Sequence, residues 1–133
     1  MDIHDILAGV KTIAVIGLST DEAKAGYYVP EYLHDAGFRI IPVNPRVTEI
    51  WGEIGYASLR DIPDPVDLVL VFRRAEYVPE VAREALALAS PPRVIWLQSG
   101  IVSPEARALA EAAGVRYVEN RCLMVEYRRM SED

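Results

Sequence analysis

Cysteine occurs once in this chain, at Cys122, and lysine twice, at Lys11 and Lys24, against twelve arginines. A single cysteine excludes an internal disulfide framework and fits a reducing compartment. Histidine is nearly as scarce: His4 and His34 are far apart in sequence and, with one cysteine, offer no metal-ligand spacing. No apolar run approaches the ~20 residues that span a bilayer, and Met1-Asp2-Ile3-His4-Asp5 has neither the basic region nor the apolar core of a signal peptide. Positive charge is short too. A formal net charge of −6 argues against a polyanion-binding surface, while leaving room for a small anion in a locally basic pocket. These absences predict a soluble, cytoplasmic protein with no metal, no nucleic-acid partner and no membrane partner. Nothing in the sequence marks a protein partner or a homo-oligomer; the set Tyr127, Arg128, Arg129 reads as either an interface or ordinary exposed surface.

What is present is a core. With 133 residues, 51% of them hydrophobic, the chain is long enough for one domain, residues 1–133, and too short for two. Five short, nearly continuous apolar runs read as strands buried on both faces: Thr12 to Ile16, Arg39 to Val43, Leu68 to Phe72, Val94 to Leu97 and Val115 to Val118. Apolar residues at i, i+3, i+4 and i+7 mark four helices between them. These are Ile3, Ile6, Leu7, Val10; Val29, Tyr32, Leu33, Ala36; Val78, Val81, Ala82, Ala85; and Ala106, Leu109, Ala110, Ala113. Gly37 and Gly114 are suited to closing helices in the left-handed conformation, Ser103-Pro104 to opening one, and Pro30 and Pro79 fit a first turn. Alternating strands and helices predict an α/β, Rossmann-like three-layer α/β/α fold with a five-stranded, mainly parallel sheet. Residues 46–65, rich in Gly and Pro, predict an irregular crossover with at most one helical turn near Ser58 to Ile62.

The first βα junction, Gly17-Leu18-Ser19-Thr20, is the place where such a fold presents backbone N–H groups to a phosphate. It lacks the second and third glycines of a dinucleotide fingerprint, and the second strand ends in Asn44 and Pro45 where a nicotinamide site would place an acid. The pattern is that of a nucleotide binder not built for NAD. A plain strand-to-helix turn would read the same. Ligands of open α/β sheets lie outside the carboxyl ends of the strands. That rule selects Gly17-Leu18-Ser19, Asn44-Pro45-Arg46, Phe72-Arg73-Arg74, Gln98-Ser99-Gly100 and Asn120-Arg121-Cys122.

The segments Ala14-Val15-Ile16-Gly17-Leu18-Ser19, Pro42-Val43-Asn44-Pro45, Asp61-Ile62-Pro63-Asp64-Pro65-Val66-Asp67, Val71-Phe72-Arg73-Arg74, Trp96-Leu97-Gln98-Ser99-Gly100 and Asn120-Arg121-Cys122 resemble, in order, the small CoA-binding proteins of the CoA-binding domain family. That family shares its fold with the CoA-binding domain of the succinyl-CoA synthetase α subunit. The match runs from about residue 10 to 127. Gly26, in Lys24-Ala25-Gly26-Tyr27, stands where the family often has serine, and Asn120 where aspartate is common.

The resemblance implies that the chain binds coenzyme A or an acyl-CoA, and it supplies no reaction. It implies a pyrophosphate near Gly17 to Thr20, Lys24 and Tyr27. Adenosine is expected near Pro42, Val43, Asn44 and Pro45, and the 3′-phosphate near Arg46, whose guanidinium fork suits phosphate oxygens. Pantetheine is expected to run past Phe72, Arg73, Gln98 and Gly100 towards Asn120, Arg121 and Cys122. Trp96 reads as core rather than ligand wall. Cys122 invites a nucleophile, or a mixed disulfide with the CoA thiol, but no base is evident beside it. Absence of Gly-x-x-x-x-Gly-Lys-Ser/Thr speaks against a free-standing ligase. The readings that remain beside binding are an NAD(P)-dependent reductase and a Cys122-dependent acyl-transfer enzyme.

Overall fold

A computed structural model describes residues 2–132. In chain order the elements are α1 (Ile3–Leu7), β1 (Thr12–Ile16), α2 (Ala25–Asp35), β2 (Arg39–Val43), β3 (Glu49–Ile50), β4 (Glu53–Ile54), β5 (Leu68–Val71), α3 (Val78–Leu86), β6 (Val94–Leu97), α4 (Pro104–Ala112), β7 (Arg116–Val118) and α5 (Leu123–Glu132). The five apolar runs pair in parallel in the order β2-β1-β5-β6-β7, while β3 and β4 form a separate antiparallel pair. This is the expected α/β, Rossmann-like arrangement. Among the described residues no helix is long and apolar enough to cross a membrane.

The strands lack a polar face because helices cover both sides. Ile13, Val15, Leu68, Leu70 and Trp96 point to the side packed by α1, α2 and α5. Ala14, Ile16, Val69, Val71 and Leu97 point to the side packed by α3 and α4, where Ala82, Ala85, Ala106 and Ala110 keep those helices close to the sheet. Burial of each large aliphatic side chain is worth roughly 1.5–3 kcal/mol, so these strands hold the sheet as a rigid platform. Pro42 is accommodated in β2 because β2 is an edge strand of the sheet, where a missing ladder N–H can face away from a partner.

The end signals hold. Gly37 and Gly114 have φ of 107° and 73°, and the Ser103 hydroxyl accepts the Ala106 N–H at 3.1 Å ahead of Pro104. Three features differ from expectation. Helix α2 starts at Ala25, four residues ahead of its apolar stripe, so Pro30 lies inside the helix and not in its first turn. The crossover holds the expected turn, at Leu59–Asp61, and also the β3–β4 hairpin. The hairpin's tip residue Trp51 has φ 47° and packs between Tyr27 and His34 of α2, at ring distances of 5.5 and 5.4 Å. Finally, residues 123–132 form α5, whose Tyr127 is half-buried against Tyr32 and Phe38. Tyr127 is therefore packed inside the chain, and Arg128 and Arg129 alone of that set are exposed.

Candidate functional site

The strand order reverses between β1 and β5, and the carboxyl ends of these two strands meet at Gly17. This glycine has φ 81°, and a Cβ placed on it would lie 3.1 Å from the Phe72 carbonyl oxygen and 3.2 Å from Arg73 Cδ. Only a residue without a side chain lets the β1 turn pass so close to the end of β5. The Gly17 N–H donates to the Val43 carbonyl at 3.1 Å, tying the same turn to β2.

From here the loop to α2 is built by its own polar groups. The Ser19 N–H donates to the Gly26 carbonyl at 3.0 Å, the Ser19 hydroxyl accepts the Asp21 N–H at 3.0 Å, and Asp21 Oδ1 accepts the Ala23 N–H at 3.0 Å. Thus the Gly17 and Ser19 amides serve the fold. The N–H groups of Leu18, Ala25 and Gly26 make no hydrogen bond among the described residues. Lys24 is the N-cap of α2 and contributes no side-chain cap, so the helix begins with open donors and a partial positive charge. Tyr27, one turn in, lies against Trp51. Its phenol pKa is raised by burial and then by Glu31 and Glu22.

Asn44 closes the next junction. Its Nδ2 donates to the Leu18 carbonyl at 2.9 Å and its Oδ1 accepts the Arg46 N–H at 2.9 Å. Beside it opens a cleft of about 340 Å³ lined by Gly17, Val43, Asn44, Pro45, Arg46 and Arg73. A second cavity of about 220 Å³ shares Val43, Pro45 and Arg73 with it and extends towards Ser58, Tyr77 and Glu80.

Charge is distributed unevenly. Arg39 reaches Glu53 and Asp64 at 2.8 and 2.9 Å, which holds its pKa above the ordinary arginine value. Arg74, Arg83, Arg107, Arg116, Arg121 and Arg129 also have a carboxylate within ion-pair reach. Lys24, Arg46 and Arg73, at the β1–β2–β5 end, have none among the described residues, and neither do Lys11, Arg60, Arg93 and Arg128 elsewhere on the chain. The Arg73 guanidinium instead lies 4.7 Å from the centre of the Tyr77 ring.

The far end of the rim is braced tightly. Trp96 is fully buried, as expected, and its indole N–H donates to the Arg121 carbonyl at 2.8 Å. Gln98 is 4% exposed, and its Oε1 accepts the Leu123 N–H at 2.8 Å, capping α5 and leaving its amide hydrogens without a partner among the described residues. Asn120, at φ 55°, accepts the Gly100 N–H at 2.7 Å. Arg121 is paired with Glu126 at 3.2 Å. Cys122 is half-buried ahead of α5, with its carbonyl accepting the Glu126 N–H at 3.0 Å. His34 stacks on Trp51 and His4 is exposed on α1, so the structure brings neither histidine to the thiol as a base.

One polar cluster beside the rim escaped the sequence reading. The Tyr117 hydroxyl lies 2.8 Å from Glu119 Oε1 and 3.0 Å from the Ser103 carbonyl, and accepts the Ser103 N–H at 3.2 Å. Arg107 sits 5.0 Å over the Tyr117 ring and 3.0 Å from Glu119. Burial, and then Glu119, push the Tyr117 pKa well above the ordinary phenol value. Its members come from two segments, the start of α4 and the end of β7, and share no local pattern.

Comparison with known proteins bears on this rim. The chain matches the family described as CoA binding domain over residues 11–128. It is 39% identical over 126 residues to an uncharacterised protein of Bacillus subtilis (strain 168), YneT, covering 95% of this chain and 92% of that one. It is 30% identical over 121 residues to acetate–CoA ligase [ADP-forming] I of Archaeoglobus fulgidus, covering 85% of this chain and 18% of the ligase. The chain spans only about a tenth to a fifth of the ADP-forming acetate–CoA ligase chains it matches. Among solved structures, cell-free ID.343 of Thermus thermophilus superposes with a TM-score of 0.91 at 42% identity, covering 98% of this chain and 99% of that one. A hypothetical protein of Pyrococcus horikoshii OT3 gives 0.90 at 34% identity, covering 98% and 90%.

Proposed function

The chain belongs to the CoA-binding domain family, and on that premise we propose that it binds coenzyme A or an acyl-CoA across the carboxyl ends of its strands. The binding domain is residues 1–133, and binding rather than catalysis is its task, as a carrier or a sensor of acyl-CoA. The pyrophosphate rests on the open amides of Ala25 and Gly26 beside Lys24. Adenosine lies by Asn44 and Pro45, with Arg46 on the 3′-phosphate. Pantetheine passes Phe72 and Arg73 to Gln98, whose free amide hydrogens meet its carbonyls, and ends near Asn120 and Cys122. The lone thiol supports a reducing, cytoplasmic setting.

One observation carries this reading. Arg46 and Arg73 line one cleft without carboxylate partners, and Lys24, likewise unpaired among the described residues, stands at the N-terminus of α2, in a chain of net charge −6. A cation left unpaired beside open backbone donors is what a ligand with three phosphate groups requires, since charge-assisted hydrogen bonds are about twice as strong as neutral ones.

Calorimetric titration with CoA, dephospho-CoA and NADH tests it. CoA should bind most tightly, dephospho-CoA more weakly for want of the 3′-phosphate, and NADH least. Lys24→Ala should cost about 1–2 kcal/mol of CoA affinity. A preference for NADH, or no heat with any of the three, overturns the assignment.

A further inference from the structure

We propose that Pro30 is a positioning residue for the phosphate end of the cleft: having no N–H, it frees the Gly26 carbonyl to hold the Ser19 amide, and through it the loop of residues 18–24. The inference rests on the reading of that cleft as the CoA site.

In an α-helix the N–H of each residue donates to the carbonyl four positions earlier. Position 30 would therefore claim the carbonyl of Gly26. Proline cannot make that bond, and the helix interior is where proline is least tolerated, yet Pro30 is the sixth residue of an eleven-residue helix and is buried. The vacated carbonyl is not left to water. It accepts the Ser19 N–H at 3.0 Å from the β1–α2 loop.

The loop hangs from that bond. Ser19 holds Asp21 through its hydroxyl, and Asp21 holds Ala23 through its carboxylate. A Cβ on Gly26 would lie 3.4 Å from both the Gly17 oxygen and Ser19 Cβ, so the loop packs directly on the first turn of α2. Restoring an N–H at position 30 gives the Gly26 carbonyl its helical partner back. Ser19 then competes for an acceptor it now has alone, and the loop carrying Lys24 loses its fixed place beside the open amides of Ala25 and Gly26.

The test compares the full chain carrying Pro30, Pro30→Ala, and lactic acid at position 30, whose backbone ester lacks an N–H without having a ring. Amide hydrogen exchange at Ser19 and calorimetric CoA affinity are read in each. Pro30→Ala should melt no lower than the parent, exchange the Ser19 amide about tenfold faster, and bind CoA about tenfold more weakly. The lactate form should return both readouts towards the parent. Unchanged Ser19 exchange in Pro30→Ala, or a lactate form that behaves like alanine, overturns the inference. If the parent chain binds no CoA, the cofactor assignment fails while the Ser19 exchange still decides the role of Pro30.

Discussion

The Asn44 side chain bonds the Leu18 carbonyl with its Nδ2 and the Arg46 N–H with its Oδ1, both at 2.9 Å, so one residue at the end of β2 holds the turns on either side of the cleft. Asn44→Asp keeps the acceptor and removes the donor, setting a carboxylate against the Leu18 carbonyl oxygen. Losing a partner for a half-buried group costs about 1–3 kcal/mol. We expect that loss in urea denaturation, together with weaker CoA binding from a displaced Leu18 turn. Unchanged stability would mean that the brace does not hold the turn.

Gly17 and Gly37 separate crowding from backbone strain. Both have φ in the left-handed range, 81° and 107°, but a Cβ on Gly17 meets the Phe72 carbonyl at 3.1 Å whereas one on Gly37 meets nothing within 4 Å. Gly37→Ala should cost only the conformational penalty, about 1 kcal/mol, and Gly17→Ala that penalty plus displacement of the end of β5, about 2–3 kcal/mol. Equal losses in denaturant titrations would show that β1 and β5 ends can part without cost.

Cys122→Ser distinguishes a binder from a thiol enzyme. The residue's backbone carbonyl serves α5, while its thiol is half-buried and behaves as a small apolar group. CoA affinity should stay within about twofold, and stability should fall by no more than about 1 kcal/mol. A large loss of affinity, or of turnover with an acyl-CoA, would place the sulfur in the chemistry.

The sheet was readable because each parallel strand is buried on both faces by its own neighbours, so a continuous apolar run is its full signature; β1, β2 and β6 fall where their runs predict. The rim was readable by the same logic, as the residues just past each run. What local pattern does not carry is the destination of hydrogen bonds. Gln98 meets Leu123 across 25 residues, and Asn44 meets Leu18 across 26. Side chains selected as ligand contacts thus also brace neighbouring turns. Helix α5 was missed because its stripe, Leu123, Tyr127 and Met130, carries Glu126 at the i+3 position where the pattern needs an apolar residue. Hairpin β3–β4 was missed because two-residue strands have no period, and its position depends on Trp51 packing against a helix some twenty residues earlier.

Glu119 gives the fold a pH dependence of definite sign. Burial alone would raise its carboxyl pKa, but hydrogen bonds from Tyr117 and Arg107 outweigh that and hold it below its usual 4.5. A group whose folded pKa is depressed contributes stability above its unfolded pKa and loses it as pH falls through the folded value. Replacing Glu119 by Gln removes the charge at every pH. The parent should therefore melt above Glu119→Gln at about pH 7, keep that margin down to about pH 5, and lose it in more acid solution as the carboxylate protonates. The margin should be small, because the Arg107 side chain is 47% exposed and its charge is screened by solvent. Added salt should shrink it further at neutral pH. A margin that persists undiminished through the acid range would show that Glu119 acts through packing against Tyr117 and not through its charge.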